Sequence, residues 1–185
     1  LSTLYESGCS QLLYGYESFS DRILKNLGKG TTAAKNESSL RMTMEAGIRP
    51  IPNQMMGFPD EFFDSIEDNM AAWEETGVVC YPFLATPYPG SEWFTVYRDR
   101  ILAQYGGDLE AFIADLDDAT KVSANICENF STIEVLGLRE LMTTFDRRKI
   151  REFESDWWSR HKTVRLPKFI ASGWRDRAKA VGEGQ

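Results

Sequence analysis

Histidine and closely spaced cysteines are what this sequence lacks most. His161 is the single histidine, and Cys9, Cys80 and Cys127 lie far apart. That excludes a zinc or cluster motif built on neighbouring cysteines within these residues. An odd count with no framework points to a reducing compartment and free buried thiols. A lone histidine in the charged segment after Trp157-Trp158 offers no triad. Basic charge is scarce too: 21 Lys and Arg against 28 Asp and Glu leave a net charge of −7. This argues against a duplex nucleic-acid binder, which carries a basic field. The one basic cluster, Arg147-Arg148-Lys149 with Arg151, ends a helical pattern and reads as a solvated face. No apolar run approaches the roughly 20 residues needed to cross a bilayer. No stretch reads as a signal peptide. The expectation is a cytoplasmic protein with no transmembrane segment. The chain opens at Leu1 without an initiator Met, so it is expected to be processed or a piece of a longer protein. The small polar residues Ala178 to Gln185 are expected to lack order.

What is present is a core-forming composition, 42% hydrophobic and rich in Phe, Tyr and Trp. Gln11-Leu12-Leu13-Tyr14 reads as a buried strand ending at Gly15. A helix follows from about Ser20, with Ser18 or Ser20 as N-cap and Ile23, Leu24 and Leu27 inward. A second helix starts after Thr31-Thr32 and runs to Ala46, with Gly47 as its C-cap. Ile48 to Met56 reads as the next strand, its start limited by Pro50 and Pro52. Pro59-Asp60 then opens a helix with Phe62, Phe63, Ile66, Met70 and Trp73 on one face, ended by Gly77. Val78 to Leu84, β-branched and aromatic, reads as a third strand. Strands alternating with helices predict βαβ units and a parallel sheet. After Gly90 the pattern turns helical. The groups are Phe94, Tyr97, Ile101 and Tyr105, then Leu109, Phe112, Ile113 and Leu116. Leu138, Leu141, Met142 and Phe145 follow, then Ile150, Phe153 and Trp157.

Polar residues cluster where the strands end, the place where α/β folds hold ligands. The first strand ends in Gly15-Tyr16-Glu17-Ser18, with Lys29 further on. The second ends in Asn53-Gln54-Met55-Met56-Gly57-Phe58-Pro59-Asp60-Glu61. The third, Tyr81-Pro82-Phe83-Leu84-Ala85, runs into Thr86-Pro87-Tyr88-Pro89-Gly90-Ser91. In this order the three motifs resemble the fourth to sixth strands of the radical S-adenosylmethionine barrel, most of all its branch with an upstream cobalamin-binding domain. The resemblance covers about residues 8–92.

That resemblance implies an α/β fold. Residues 1–92 would be the C-terminal half of a parallel (β/α)6 partial TIM barrel, and residues 93–185 an α-helical extension. It places Glu17 on the ribose hydroxyls of the cofactor and Lys29 near its carboxylate. Asn53 would meet the ribose, the Gly57-Phe58 turn would pack against adenine, and backbone at Leu84 and Ala85 would meet the adenine edge. Ser18 would share the first of these sites. The chemistry suits the residues: a carboxylate accepts from two hydroxyls at once, an ammonium pairs with a carboxylate, and an amide both donates and accepts. Other readings stay open at each. Glu17 also fits a charge favoured by a helix dipole, Lys29 a solvated loop lysine, and Asp60 and Glu61 a first helical turn. Tyr81, Tyr88 and Trp93 could border a substrate, and Trp157-Trp158 and Trp174 read as core or interface anchors.

The family's cluster cysteines, spaced CxxxCxxC, are absent here, as is the glycine-rich segment that holds the cofactor's amino group. The expectation is therefore a C-terminal part of a radical S-adenosylmethionine enzyme. It would bind the adenosine end of S-adenosylmethionine, while an upstream part of the same protein carries a 4Fe-4S cluster and, in the cobalamin branch, cobalamin. In the cobalamin branch methyl transfer is the leading outcome, with ring closure or another rearrangement open, and the substrate would be a small molecule or lipid. The rival readings are an inert half-barrel, a non-catalytic binding module without a cluster, and a complete α/β enzyme of another class.

Overall fold

Strand β1 (Gln11–Glu17) lies parallel to β2 (Arg49–Met56), and β2 lies parallel to β3 (Phe83–Leu84), in the order β1-β2-β3. Helices α2 (Asp21–Asn26) and α3 (Ala33–Glu45) connect the first pair, and α4 (Phe63–Thr76) connects the second. The computed structural model describes residues 1–161, so Trp174 and the residues from Ala178 onward lie outside the described residues. A short α1 (Ser2–Glu6) precedes the sheet. Four helices follow it in the same compact unit, Leu1–Asp146: α5 (Glu92–Val96), α6 (Arg98–Ala103), α7 (Leu109–Ala114) and α8 (Thr132–Thr143). A second unit begins at Arg147 with α9 (Arg147–Arg160), in which Ile150 and Trp157 are buried and Trp157 stacks on His161 at 4.0 Å. Among the described residues no helix is long and apolar enough to cross a membrane.

The two faces of the sheet differ. Tyr14 and Tyr16 point to the helices, where their hydroxyls meet Thr43 at 2.6 Å and Ser39 at 2.8 Å. Pro50, Pro52, Gln54 and Met56 are buried on the same side. The opposite face, carrying Leu13, Gly15, Ile51, Asn53 and Phe83, is open, with Leu13 66% exposed and Phe83 37%, while Met55 on that side packs against a buried apolar cluster. Alternation with period two creates this split. β1 is thus half exposed rather than buried, and it continues past Gly15 to Glu17. Among the described residues it pairs with β2 alone.

The third strand is two residues long where Val78 to Leu84 was expected. The reason lies in β2. The Met56 carbonyl accepts from Ala85 N–H at 2.8 Å, while Arg49 N–H reaches Ser10 on the other side. Alternation along the strand therefore turns Pro50 and Pro52 toward the third strand. Neither has an N–H to give, so the ladder starts only beyond them.

Other boundaries moved for local reasons. Residues 59–62 form a turn and α4 starts at Phe63. The helix expected across Phe94 to Tyr105 is two short helices meeting at Tyr97, and in α7 Ile113 is 49% exposed. Both α2 and α3 end in Schellman motifs. Gly47 has φ 76°, and Ile48 N–H returns to the Thr43 carbonyl at 3.1 Å, which launches β2. A buried cluster of Ile23, Phe58, Ala85, Ile101, Phe112, Ala124 and Ile126 then ties the strand exits to α2, α6 and α7.

Candidate site at the carboxyl ends of the strands

A β-bulge at the end of β1 sets Gly15 opposite Asn53 and Glu17 opposite Gln54. Glu17 takes φ 61° there, a left-handed backbone that a non-glycine residue rarely adopts. The strained turn folds its carboxylate back over Gly15. A Cβ on Gly15 would stand 3.1 Å from Glu17 Oε1 and 3.6 Å from Lys29 Nζ. Gly15 faces the open side, so Glu17 and Lys29 lie on that side too. They pair with each other at 2.9 Å, both partly exposed.

Lys29 is positioned by the end of α2. Gly28 has φ 64°, Gly28 N–H bonds to the Lys25 carbonyl at 3.1 Å, and Lys29 N–H bonds to the Leu24 carbonyl at 3.1 Å. This Schellman cap aims the lysine back toward the strand end. Asn53, half-buried on the same face across from Gly15, lies at one end of a groove of about 710 Å³. The groove runs beside β2 where Pro50 and Pro52 keep the third strand away, past Val79, Cys80 and Tyr81. Glu17, Lys29 and Asn53 thus come together on the open face.

The remaining candidates sit behind them. Ser18 is fully buried: its hydroxyl donates to Asn69 Oδ1 at 3.1 Å and accepts Ser20 N–H at 3.0 Å. Phe58 belongs to the buried cluster and meets Trp93 edge-on at 6.0 Å. Leu84 N–H bonds to the Ala119 carbonyl and Ala85 N–H to the Met56 carbonyl, each at 2.8 Å. The Leu84 carbonyl accepts the Thr86 hydroxyl at 3.0 Å. These backbone groups hold the floor of the site together. Gly57 is required twice over, by its φ of 81° and by Val135 Cγ1, which would stand 3.3 Å from a Cβ.

Two features of the site escaped the sequence reading. Asn69, on the inner face of α4, accepts on one oxygen from Ser18 Oγ, from Phe19 N–H at 2.6 Å and from Gln54 Nε2 at 3.1 Å. Gln54 in turn accepts from Trp73 Nε1. One amide therefore ties the exit of β1 to β2 and α4. Its signal was a polar residue beside Met70 on an otherwise apolar face. The second is Glu61. Expected in a first helical turn, it instead precedes α4 and is 1% exposed. Its Oε2 accepts Gly57 N–H at 3.2 Å and its Oε1 contacts the Ser65 hydroxyl. Burial pushes its carboxyl up to about 7, against the pull of the Ser65 hydroxyl, Arg22 and the Gly57 N–H.

Cys80 and Cys127 are pushed up to about 12 by burial, which makes them inert thiols; all three cysteines are free. Among the described residues no group of His, Cys, Asp and Glu is arranged to hold a metal ion. The donors on the open face suit a polar organic ligand with hydroxyls and a carboxylate.

No protein-family model matches the chain. An uncharacterized methyltransferase of Pyrococcus horikoshii is 32% identical over 87 residues, covering 46% of this chain and 19% of that protein. The chain therefore spans well under two thirds of its relative's length. What the comparisons establish is that part of this mixed α/β chain is similar to a methyltransferase.

Proposed function

We propose that this chain is the C-terminal part of a radical S-adenosylmethionine enzyme of the methyltransferase type, and that it holds the adenosine end of S-adenosylmethionine. The observation that carries the reading is Glu17. A strained backbone and Lys29 hold its carboxylate at the carboxyl end of β1, on the open face across from Asn53. The similarity of part of the chain to a methyltransferase supports the methyltransferase type. In this reading β1, β2 and β3 are the last three strands of a (β/α)6 partial barrel.

The donor set fits the cofactor. Glu17 accepts from the ribose hydroxyls, Asn53 bonds the same sugar, and Lys29 exchanges part of its pairing with Glu17 for the cofactor carboxylate. Phe58 and Gly57 shape the adenine side from behind. The 4Fe-4S cluster and cobalamin would need ligands from an upstream part of the same protein, and such a cluster would supply the electron for reductive cleavage of S-adenosylmethionine. A small molecule or lipid would be the methyl acceptor.

Calorimetric titration with S-adenosylmethionine tests the assignment. Glu17→Gln is expected to weaken binding by about 1–3 kcal/mol, the range for a hydrogen-bonded charged group. Wild-type affinity in that variant would remove the residue on which the reading stands.

A further inference from the structure

Glu61 is a buried carboxyl group with no role in the binding described above. Oε2 takes the N–H of Gly57, the first residue after β2. Oε1 lies against Ser65 Oγ, which also receives Phe62 N–H at 3.1 Å and lies 2.8 Å from the Phe62 carbonyl. The Ser65 hydroxyl has one proton and faces two acceptors. A protonated Glu61 satisfies all of them. It donates to Ser65, Ser65 donates to Phe62, and Gly57 still donates to the carbonyl oxygen of the acid. An ionised Glu61 accepts the Ser65 hydroxyl's one hydrogen bond and deprives the Phe62 carbonyl of it. The turn is clamped from outside as well: Glu128 N–H bonds to the Pro59 carbonyl at 2.8 Å and Asn129 Nδ2 to the Glu61 carbonyl at 2.9 Å.

We propose that Glu61 is a positioning residue whose proton fixes the Gly57-Phe58-Pro59 turn, and through it the floor of the adenosine site. The inference rests on the reading of that site given above. The charged and titratable groups facing Glu61 are few. Arg22 of α2 is the cation, held by Asp60 at 2.8 Å and Asp64 at 2.7 Å. Asp60 opposes ionisation from the turn itself, and Cys127 faces Glu61 from the loop before α8. With Arg22 engaged by two carboxylates, a charge on Glu61 is poorly compensated. Burial raising its carboxyl to about 7 agrees with this.

The test follows the Gly57 amide resonance, and the affinity for 5′-deoxyadenosine, from about pH 6 to about pH 8. This probe carries no group that titrates over the range. Glu61→Gln keeps an acceptor for Gly57 and places a donor on Ser65, so it imitates the protonated acid. In the wild type the Gly57 resonance is expected to titrate with a midpoint near 7. Affinity is expected to fall about tenfold toward high pH, the scale of one hydrogen bond to a charged group. In Glu61→Gln both are expected to stay flat at the low-pH values. A Gly57 resonance that does not titrate, or titrates equally in the variant, overturns the inference. So does a titrating Gly57 with constant affinity. Failure to bind the probe at any pH, with Gly57 still titrating as described, overturns the adenosine site and leaves the control of the turn standing.

Discussion

Glu17 joins a strained backbone to an ion pair with Lys29, and in the proposed reading the same carboxylate meets the ligand. Its left-handed backbone costs on the order of 1–2 kcal/mol for an L-residue, while a half-exposed pair with Lys29 returns at most about 1 kcal/mol. Asparagine tolerates that backbone better. Glu17→Asn is therefore expected to unfold at the same or higher urea concentration than the wild type while losing affinity for S-adenosylmethionine. A marked loss of stability would show that Glu17 is structural. Glu61 gives a second outcome at this scale. Its carboxyl ionises near 4.5 when unfolded and about 7 when folded. Between those values the folded chain keeps a proton that the unfolded chain has released. Stability from this group is full below about 4.5 and lost as pH rises through about 7, a total of about 3 kcal/mol. Urea unfolding across that window should show the decline in the wild type, and Glu61→Gln should lack it. That Glu17, Lys29 and Asn53 lie at the strand ends was legible because strand ends and polar residue types are visible in a sequence. Glu61 was not: being buried depends on Gly57, Ser65 and residues 128–129, which come together only in the fold.

Among the elements, α4 does more than cover the sheet. The three bonds on Asn69 Oδ1 join it to both strand exits. Asn69→Ala leaves Phe19 N–H and the Gln54 amide buried without that acceptor, at about 1–3 kcal/mol for each such group. The expected outcome is a loss of several kcal/mol in urea unfolding, with broadened resonances at Ser18 and Phe19. A loss below about 1 kcal/mol would mean water or another group replaces the amide. The parallel βαβ order was readable from alternating apolar runs and glycine stops. The length of β3 was not readable from its own residues, which favour a strand. It is set by Pro50 and Pro52 in the neighbouring strand, whose missing N–H groups face it only once the register is fixed.

At the largest scale, the described residues keep a seven-residue edge strand and a face with Leu13 and Phe83 exposed. Such an edge invites pairing. Leu13→Lys on the open face is expected to lower concentration-dependent association in sedimentation, without changing the folded spectrum. Residue-by-residue mapping of resonances on titration with S-adenosylmethionine decides whether the open face holds the cofactor. Saturable shifts are expected at Glu17, Lys29 and Asn53 on the open face of the sheet, and at Gly57 behind them. No saturable shift, or shifts confined to the groove beside Val79 and Tyr81, would contradict it.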